Sequence, residues 1–361
     1  MTLIQKLTAG PVDIVGDIHG EIDSLVALIN RLGYDQKGNH PENRKLVFVG
    51  DFCDRGPDSP TVINLVEKLV QAGNAFAVLG NHELNLIRHD AKDGSGWFFD
   101  ERNESDHGKY APYVRPSQTE KEHIISFLLT LPIALERSDI RIIHAAWMPD
   151  HISQIRAIEQ SNLLASYQEW DLAAKNYVLE LKPLMEQELT QWTFGLEDST
   201  KQPPLLHVHA EYDSAVQMMN PLRVLTSGVE RKTTVPFFAS GKWRFAERVT
   251  WWNEYDEKTP VIIGHYWRRF HIHERDESTN KGEKSIFEDI HPLAWHGKNK
   301  NVFCVDYSIG GRWAERKSNF TEQSRFKLAA LQWPERVLVL DDGESFSTEV
   351  FLSDQIETTS R

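Results

Sequence analysis

Aspartate, asparagine and histidine residues recur in short glycine-containing motifs along the chain. Asp17 and His19 lie in GDIHG, Asp51 lies in GDFCDRG, and Asn81 lies in GNHE. Carboxylate, imidazole and amide oxygen are hard or borderline ligands, which suit Mn²⁺, Fe or Zn²⁺ better than a thiolate-preferring ion. A carboxylate can bridge two ions, and two ions about 3.5–4 Å apart can hold a phosphorus centre for in-line displacement. The residue types therefore favour a two-metal site that acts on phosphate.

The elements that precede these motifs are predicted strands. Short apolar runs at residues 12–16, 45–50 and 74–79 lead into the three motifs, and helical spacing over 21–32 and 61–71 follows the first two. This alternation predicts parallel strands with crossover helices. Because ligands bind at the carboxyl ends of strands in such sheets, we expect the motifs to meet at one edge.

Two more predicted strands end in histidine. Residues 140–143 lead to His144, and residues 261–264 lead to His265. Each motif alone is a weak signal, since such short patterns are common in turns. Their occurrence after five predicted strands in succession favours a shared metal site over five unrelated turns.

The regular pattern covers two stretches of the chain. Residues 1–147 and 259–345 predict one α/β core, and residues 148–258 predict a largely helical inserted cap or accessory segment. Residues 346–361 are expected to form a C-terminal tail. Residues 91–118, rich in Gly, Asp, Lys and Pro, predict a smaller surface insertion within the core.

Composition excludes several classes of protein. The 361 residues include 53 Asp+Glu and 40 Lys+Arg, a net charge of −13, and 40% are hydrophobic. This balance argues against disorder and against non-specific binding to a nucleic-acid backbone. Two cysteines cannot form a disulfide framework. The N-terminus lacks the apolar run of a signal peptide and no apolar stretch reaches membrane-spanning length, so we expect a cytoplasmic protein without a membrane partner.

Together, GDIHG, GDFCDRG, GNHE and the two strand-end histidines resemble the phosphoprotein phosphatase family of calcineurin-like metallophosphoesterases. Within that group the chain is similar to the bacterial symmetrical diadenosine-tetraphosphate hydrolases. The resemblance covers about residues 11–90, 132–147 and 260–340. It implies an α/β fold, a β-sandwich of two mixed sheets flanked by helices, with a dimetal centre at the edge of the sandwich.

The resemblance also implies roles for single residues. It assigns the metal ligands as Asp17 and His19 for the first ion, Asp51 for both ions, and Asn81, His144 and His265 for the second ion. His82 would be the general acid, Asp54 would orient it, and Arg55 would hold the phosphate oxygens.

The implied cofactors are two divalent metal ions, with Mn²⁺ expected first and Fe or Zn²⁺ as alternatives. A hydroxide bridging the ions would attack the phosphate ester in line. The family also uses a second phosphate-binding arginine. Its candidates here are Arg223, Arg231, Arg244, Arg248, Arg268 and Arg312. We assign substrate binding to Arg268.

Two classes of phosphorylated substrate stay open. One is a phosphomonoester, including a phosphoprotein, and the other is a dinucleoside polyphosphate or a nucleotide cap. The nucleotide class is favoured by three aromatic residues that follow the later site motifs and could stack on bases, namely Trp147, Tyr266 and Trp267. Packing against the inserted segment is the competing interpretation of these rings. A scaffold that binds metal without hydrolysis is a third alternative, against which the presence of His82 and Asp54 argues.

Overall fold

The computed structural model describes residues 2–239, 242–270, 285–318 and 323–348. Its strands are β1 (Ile4–Lys6), β2 (Val12–Val15), β3 (Lys45–Phe48), β4 (Ala75–Ala77), β5 (Ala134–Arg137), β6 (Ile140–Ile143), β7 (Glu230–Ala239), β8 (Lys242–Arg248), β9 (Val261–Ile263), β10 (Val302–Cys304), β11 (Ala329–Trp333), β12 (Val337–Leu340) and β13 (Ser345–Ser347). Its α-helices are α1 (Ile22–Arg31), α2 (Ser59–Gln71), α3 (Asn81–Ile87), α4 (Asp100–Tyr110), α5 (Gln118–Leu128), α6 (Pro149–Ile155), α7 (Leu163–Leu179), α8 (Lys182–Leu189), α9 (His207–Met218), α10 (Pro221–Ser227) and α11 (Arg312–Ser318). Within the four described ranges, no helix has both the length and the apolar character that crossing a membrane requires.

Two mixed sheets form the centre of the molecule. The first has the order β13-β12-β11-β2-β3-β4, and the second has the order β1-β5-β6-β9-β10. Strands β2, β3 and β4 are parallel, whereas β11 runs antiparallel to β2. In the second sheet β6, β9 and β10 are parallel and β5 is antiparallel to β6. The predicted α/β class with two mixed sheets flanked by helices is confirmed.

Strands β2, β3, β9 and β10 are buried on both faces, which explains their nearly continuous apolar sequence. One buried cluster contains residues of both sheets, among them Ile14, Val47, Ile142 and Ile262. A second and larger cluster joins the other face of the first sheet, at Phe48, to side chains of α1 and α2. The two sheets therefore pack against each other and carry helices outside.

In its described residues, the segment 148–258 contains five α-helices, as predicted, and a two-stranded ribbon that was not predicted. Helices α6 to α10 account for much of it, but β7 and β8 pair as a two-stranded antiparallel ribbon. Trp243 and Phe245 lie two residues apart on β8 and pack with Leu206 and Ala210 in a small cluster of their own. That two-residue spacing is the strand signal that the helical prediction missed.

Two shorter regions also differ from expectation. Trp97 and Phe98 are buried, so the segment 91–118 is not simply a surface insertion. Strand β13 pairs with β12 and carries the first sheet into the region predicted as a C-terminal tail. Residues 349–361 of that tail lie outside the described residues.

Candidate metal centre

The carboxyl ends of six strands meet at one edge of the sandwich. The residues that follow them are Asp17 after β2, Asp51 after β3, Asn81 after β4, His144 after β6, His265 after β9 and Asp306 after β10. Contacts between the sheets join these ends. Nδ1 of His144 donates to the oxygen of Val49 at 2.8 Å, and the backbone N–H of His265 donates to the Asp17 carboxylate at 3.1 Å. Parallel strand direction in each sheet thus brings the predicted ligands together.

His19, Asp51 and His82 form a first buried ligand group, with ligand atoms within 4.8 Å of one another. Oδ2 of Asp51 lies 3.9 Å from Nε2 of His19 and 3.8 Å from Nε2 of His82. Nδ1 of His19 donates to the oxygen of Cys53 at 2.9 Å. This bond fixes the imidazole so that Nε2 faces the group.

Asp51, His144 and His265 form a second buried ligand group. Oδ2 of Asp51 lies 3.3 Å from Nε2 of His144. Oδ1 of Asn81 is a further atom that can bind metal, and it lies 3.2 Å from Nε2 of His144 and 2.9 Å from Nδ1 of His265. Asp51 belongs to both groups, which is the placement that a bridging ligand needs.

Asp17 lies beside these groups and is a member of neither. Its carboxylate accepts the backbone N–H of His265, with both oxygens at 3.1–3.2 Å. Burial raises the pKa of Asp17, and the carboxylate of Asp306 adds to the rise. A nearby divalent cation would offset the cost of ionising this buried group.

The protonation of two of the imidazoles, those of His19 and His265, fits a metal site. Burial, and then the charge of Arg248, hold the pKa of His265 well below its ordinary value. Burial, and then Arg55, do the same to the pKa of His19. Neutral imidazole is the form that binds metal. Nδ1 of His265 is the nitrogen that lies beside the other ligand atoms, 2.9 Å from Oδ1 of Asn81. These donors fit a hard or borderline divalent ion.

His144 and Asp51 are coupled through their charges. Burial alone would lower the pKa of His144, but the Asp51 carboxylate outweighs it and raises that pKa to about 10. Burial likewise would raise the pKa of Asp51, but His144 and then His82 outweigh it and hold that pKa well below its ordinary value. The carboxylate shared by the two groups is therefore ionised at neutral pH.

His82 lies in the first turn of α3, where its Nε2 belongs to the first ligand group and its Nδ1 faces Asp54. Its Nδ1 donates to Oδ2 of Asp54 at 2.5 Å, while its Nε2 faces Asp51. The other carboxylate oxygen of Asp54 accepts the Nε1–H of Trp97 at 2.5 Å. A carboxylate on Nδ1 fixes the tautomer and ring orientation, so this geometry suits a proton donor acting through Nε2.

Arg55 extends beside the first ligand group. Its Nη1 donates to Nε2 of His19 at 3.0 Å, and its Cζ lies 4.9 Å from the centre of the Trp267 ring. A guanidinium at this place offers a planar fork to two phosphate oxygens.

The structure does not bring Arg268 to the site, although sequence analysis assigned it to substrate binding. Its guanidinium is buried and donates to the backbone oxygens of Cys304, His291 and Ala294 at 3.3, 2.6 and 2.8 Å. Because this guanidinium is 1% exposed and bonded to carbonyls of the core, a phosphate at the site cannot reach it. This prediction is therefore wrong, because the side chain turns into the core.

Among the other candidate arginines, Arg248 lies near the second ligand group. It is exposed at the end of β8, with its Cζ 6.0 Å from the ring of Tyr266. After burial, its charge is the next cause that lowers the pKa of His265. The ribbon of the inserted segment thus carries a cation to the site.

Several site residues have left-handed backbone conformations. Positive φ angles occur at His19 (48°), Asp51 (51°), Asp54 (71°), Arg55 (68°), His265 (70°) and Trp267 (54°). Such conformations cost energy in residues other than glycine and cluster at functional sites. Glu83 holds one of these turns, because its carboxylate accepts the backbone N–H groups of Asp51, Phe52 and Gly80 at 2.8–3.0 Å.

Asp306 is a site residue that sequence analysis missed. Its carboxylate accepts the backbone N–H of Trp267 at 2.6 Å and that of Ser308 at 2.7 Å. It therefore holds the loop that carries His265. The signal was present in the sequence, since Asp306 follows a short apolar run in the same way as Asp17 and Asp51.

The aromatic residues after the site motifs separate into two classes. Trp147 and Tyr266 are 1% and 3% exposed, so they pack in the core and cannot stack on a ligand. Trp267 is half-buried, and its ring centre lies 6.1 Å from that of His19. Of these three rings, Trp267 alone is available to a ligand at the site.

A family model described as calcineurin-like phosphoesterase matches residues 10–190, half of the chain. The chain belongs to the calcineurin-like phosphoesterases. Membership in this family implies divalent metal ions, in agreement with the two ligand groups. The matched range includes Asp17, Asp51 and His144, whereas His265 lies beyond it.

Curated relatives of this calcineurin-like phosphoesterase match part of its length. The bis(5'-nucleosyl)-tetraphosphatase PrpE (asymmetrical) of Halalkalibacterium halodurans is 49% identical over 80 residues, which are 21% of this chain and 32% of that protein. The protein of the same name from Oceanobacillus iheyensis is 36% identical over 146 residues, 39% of this chain and 58% of that protein. The chain thus spans between a third and somewhat over half of the length of these relatives. A solved structure of a cold-active protein-tyrosine phosphatase from a psychrophilic Shewanella species aligns with a TM-score of 0.46 and 17% identity, covering 97% of this chain and 83% of that one.

Proposed function

We propose that this chain is a divalent-metal-dependent phosphoric ester hydrolase. The observation that carries the proposal is the placement of His82. Its Nδ1 is bound by Asp54 at 2.5 Å while its Nε2 faces Asp51, the carboxylate that belongs to both ligand groups. A fixed proton donor beside a two-metal ligand set suits the cleavage of a P–O bond, because the leaving oxygen needs a proton.

The proposed ligands divide over two ions. The first would be held by Asp17, His19 and Asp51, and the second by Asp51, Asn81, His144 and His265. Oxygen and imidazole donors favour Mn²⁺, with Fe and Zn²⁺ as alternatives. When bound, two such ions supply Lewis-acid activation of water and neutralise charge on the phosphate.

The side chains of the protein supply the remaining functions. Arg55 binds two phosphate oxygens and orients the ester, since its guanidinium lies beside the first ligand group. His82 gives the proton of Nε2 to the leaving oxygen as the P–O bond breaks. Asp54 keeps the proton on Nδ1, so that the neutral imidazole that remains has a defined tautomer.

Hydrolysis of p-nitrophenyl phosphate with added Mn²⁺ tests the proposal. We expect turnover that chelation abolishes and Mn²⁺ restores. Asp51→Asn should lower kcat by about a hundredfold or more, because the shared ligand loses its charge. Asp35→Asn, a change at an exposed loop aspartate, is the matched control and should retain wild-type turnover. Wild-type protein that is inactive with Mn²⁺, Fe²⁺ and Zn²⁺, or a fully active Asp51→Asn variant, would contradict the proposal.

A nucleoside polyphosphate is the substrate class that Trp267 favours. Its half-buried ring lies beside His19 and under the Arg55 guanidinium, where it can stack on a base attached to the bound phosphate. The names of the relatives point to the same class, and to asymmetrical cleavage rather than the symmetrical cleavage of the enzymes that the sequence motifs resemble. A phosphoprotein remains the second candidate substrate.

Products distinguish these substrates. Diadenosine tetraphosphate and phosphoserine and phosphotyrosine peptides are offered to the Mn²⁺-loaded protein, and products are separated by chromatography. We expect nucleotide products, with ATP and AMP from asymmetrical cleavage; two ADP would indicate symmetrical cleavage. Release of phosphate from peptides alone would assign the chain to the protein phosphatases and leave Trp267 without a stacking role.

A further inference from the structure

Trp97 bonds to Asp54, the partner of His82, on the carboxylate oxygen that His82 does not use. Its Nε1–H donates to Oδ1 of Asp54 at 2.5 Å, while Oδ2 of the same carboxylate accepts Nδ1–H of His82 at 2.5 Å. Trp97 and Asp54 are each 1% exposed, so water does not compete for either oxygen. Each oxygen of the carboxylate therefore has one side-chain donor.

The backbone that carries Trp97 is held in place by a second buried carboxylate. Asp106, 1% exposed, accepts the N–H groups of Gly94 and Gly96 at 3.1 and 2.8 Å. The oxygen of Gly94 in turn accepts the N–H of Arg55 at 3.1 Å. The loop before α4 is thus bonded both to its own helix and to the turn that contains Asp54. These bonds fix the direction of the indole toward Asp54.

We propose that Trp97 is a positioning residue for the general acid. This inference rests on the proposed hydrolase function. A carboxylate bound through one oxygen can rotate, because the final torsion of an aspartate side chain is broad. A donor on the second oxygen restricts that rotation and keeps Oδ2 in line with Nδ1 of His82. The imidazole then holds Nε2–H toward the leaving oxygen. During cleavage the Nε2–H bond breaks, an O–H bond forms on the leaving group, and Nδ1–H stays bonded to Asp54. Trp97 acts only through Asp54.

Leaving-group dependence separates a positioning role from a packing role. Glycerol 2-phosphate has a poor leaving group and needs the proton, whereas p-nitrophenolate leaves readily without one. Trp97→Phe keeps an aromatic ring and removes the N–H. We expect kcat for glycerol 2-phosphate to fall about tenfold or more and kcat for p-nitrophenyl phosphate to fall less than about threefold, with KM nearly unchanged.

Trp295→Phe is the matched control. Trp295 is also 1% exposed, and its Nε1–H donates to Oγ1 of Thr348 at 2.9 Å, but it belongs to the cluster between the sheets. In the Trp295→Phe variant the ratio of the two kcat values should stay within about twofold of wild type, since His82 keeps its partner Asp54. If Trp97→Phe does not fold, 3-benzothienylalanine at position 97 keeps the bicyclic shape without the N–H donor.

The outcomes distinguish this inference from the function on which it rests. A selective loss with glycerol 2-phosphate in either position-97 variant supports the positioning role. The positioning role is overturned if the position-97 variants lose kcat equally with both substrates, or if their ratio of the two kcat values equals that of the Trp295→Phe control. Either result leaves the hydrolase function intact. A wild-type protein that hydrolyses neither ester overturns both.

Discussion

Oδ2 of Asp51 lies 3.3 Å from Nε2 of His144, and both side chains are buried. The two groups carry opposite charges, and each holds the other in its ionised form. Nε2 of His144, the atom that faces Asp51, is also the atom that the proposed second ion would bind. Proton and metal therefore compete for the same nitrogen.

Metal binding should release a proton from this site. Burial would lower the pKa of His144, but Asp51 raises it to about 10, so the metal-free imidazole is protonated at pH 7.5. The affinity for Mn²⁺ should therefore rise with pH below about 10, by about tenfold per unit for one displaced proton. Titration calorimetry in buffers with different ionisation heats measures the release, and we expect about one proton from this pair. An affinity independent of pH from 7 to 9 would contradict the coupling.

Arg55→Lys should weaken the binding of phosphate. Lysine keeps the charge but lacks the planar fork and the stacking on Trp267. We expect kcat/KM to fall about ten- to hundredfold and the inhibition constant of inorganic phosphate to rise, from the usual strength of hydrogen bonds to charged groups. Arg231→Lys is the control, because Arg231 pairs with Glu247 on the exposed ribbon. Unchanged inhibition by phosphate in the Arg55 variant would remove it from the substrate site.

Trp267→Leu should discriminate between substrates. Stacking of a base on an aromatic ring contributes about 1–3 kcal/mol, so kcat/KM for diadenosine tetraphosphate should fall about tenfold or more, while glycerol 2-phosphate changes by less than about twofold. Trp313→Leu is the control, since that ring packs on Tyr110, 5.1 Å away. An equal loss with both substrates would show that Trp267 supports the loop of His265 and does not bind a base.

Arg268→Lys should destabilise the fold without changing the chemistry. The lysine cannot serve the three backbone oxygens that the guanidinium reaches. The free energy of unfolding in urea should fall by about 1–3 kcal/mol, the usual cost of leaving buried acceptors unpaired. The specific activity of the folded fraction should match wild type. A lower kcat at unchanged stability would return Arg268 to the site.

The convergence of Asp17, Asp51 and His144 could be predicted because topology fixes it. Parallel strands bring their carboxyl ends to one edge, so a residue just after such a strand needs no further information to be placed there. Asp306 follows β10 in the same way and could have been included.

Residues in irregular segments could not be placed by the same reasoning. Trp97 reaches Asp54 across 43 residues of sequence, from a loop whose direction depends on the carboxylate of Asp106. Arg268 follows Trp267, whose φ of 54° redirects the chain. Periodicity does not encode such angles, so sequence analysis assigned the wrong arginine to the site.

The inserted segment shows that residue spacing predicts long helices more readily than short strands. Its helices follow from three- and four-residue spacing, but the apolar alternation at Trp243 and Phe245 is short and lies between polar residues. The division of the chain at residues 148 and 258 stays a prediction. This ribbon carries Arg248 and so brings a positive charge near His265.

The left-handed conformations at the site limit which sequences can build it. In a saturation mutagenesis experiment, Asp51 and Asp54 should reject valine, isoleucine and threonine more strongly than the lost carboxylate alone explains, because β-branched residues are disfavoured at positive φ. Asparagine tolerates this region, so Asp→Asn changes isolate the chemistry, whereas alanine adds a conformational cost. The tolerance profile along these turns would therefore record backbone geometry as well as ligand identity. Chains that conserve the ligands in a different backbone conformation would not assemble the same centre.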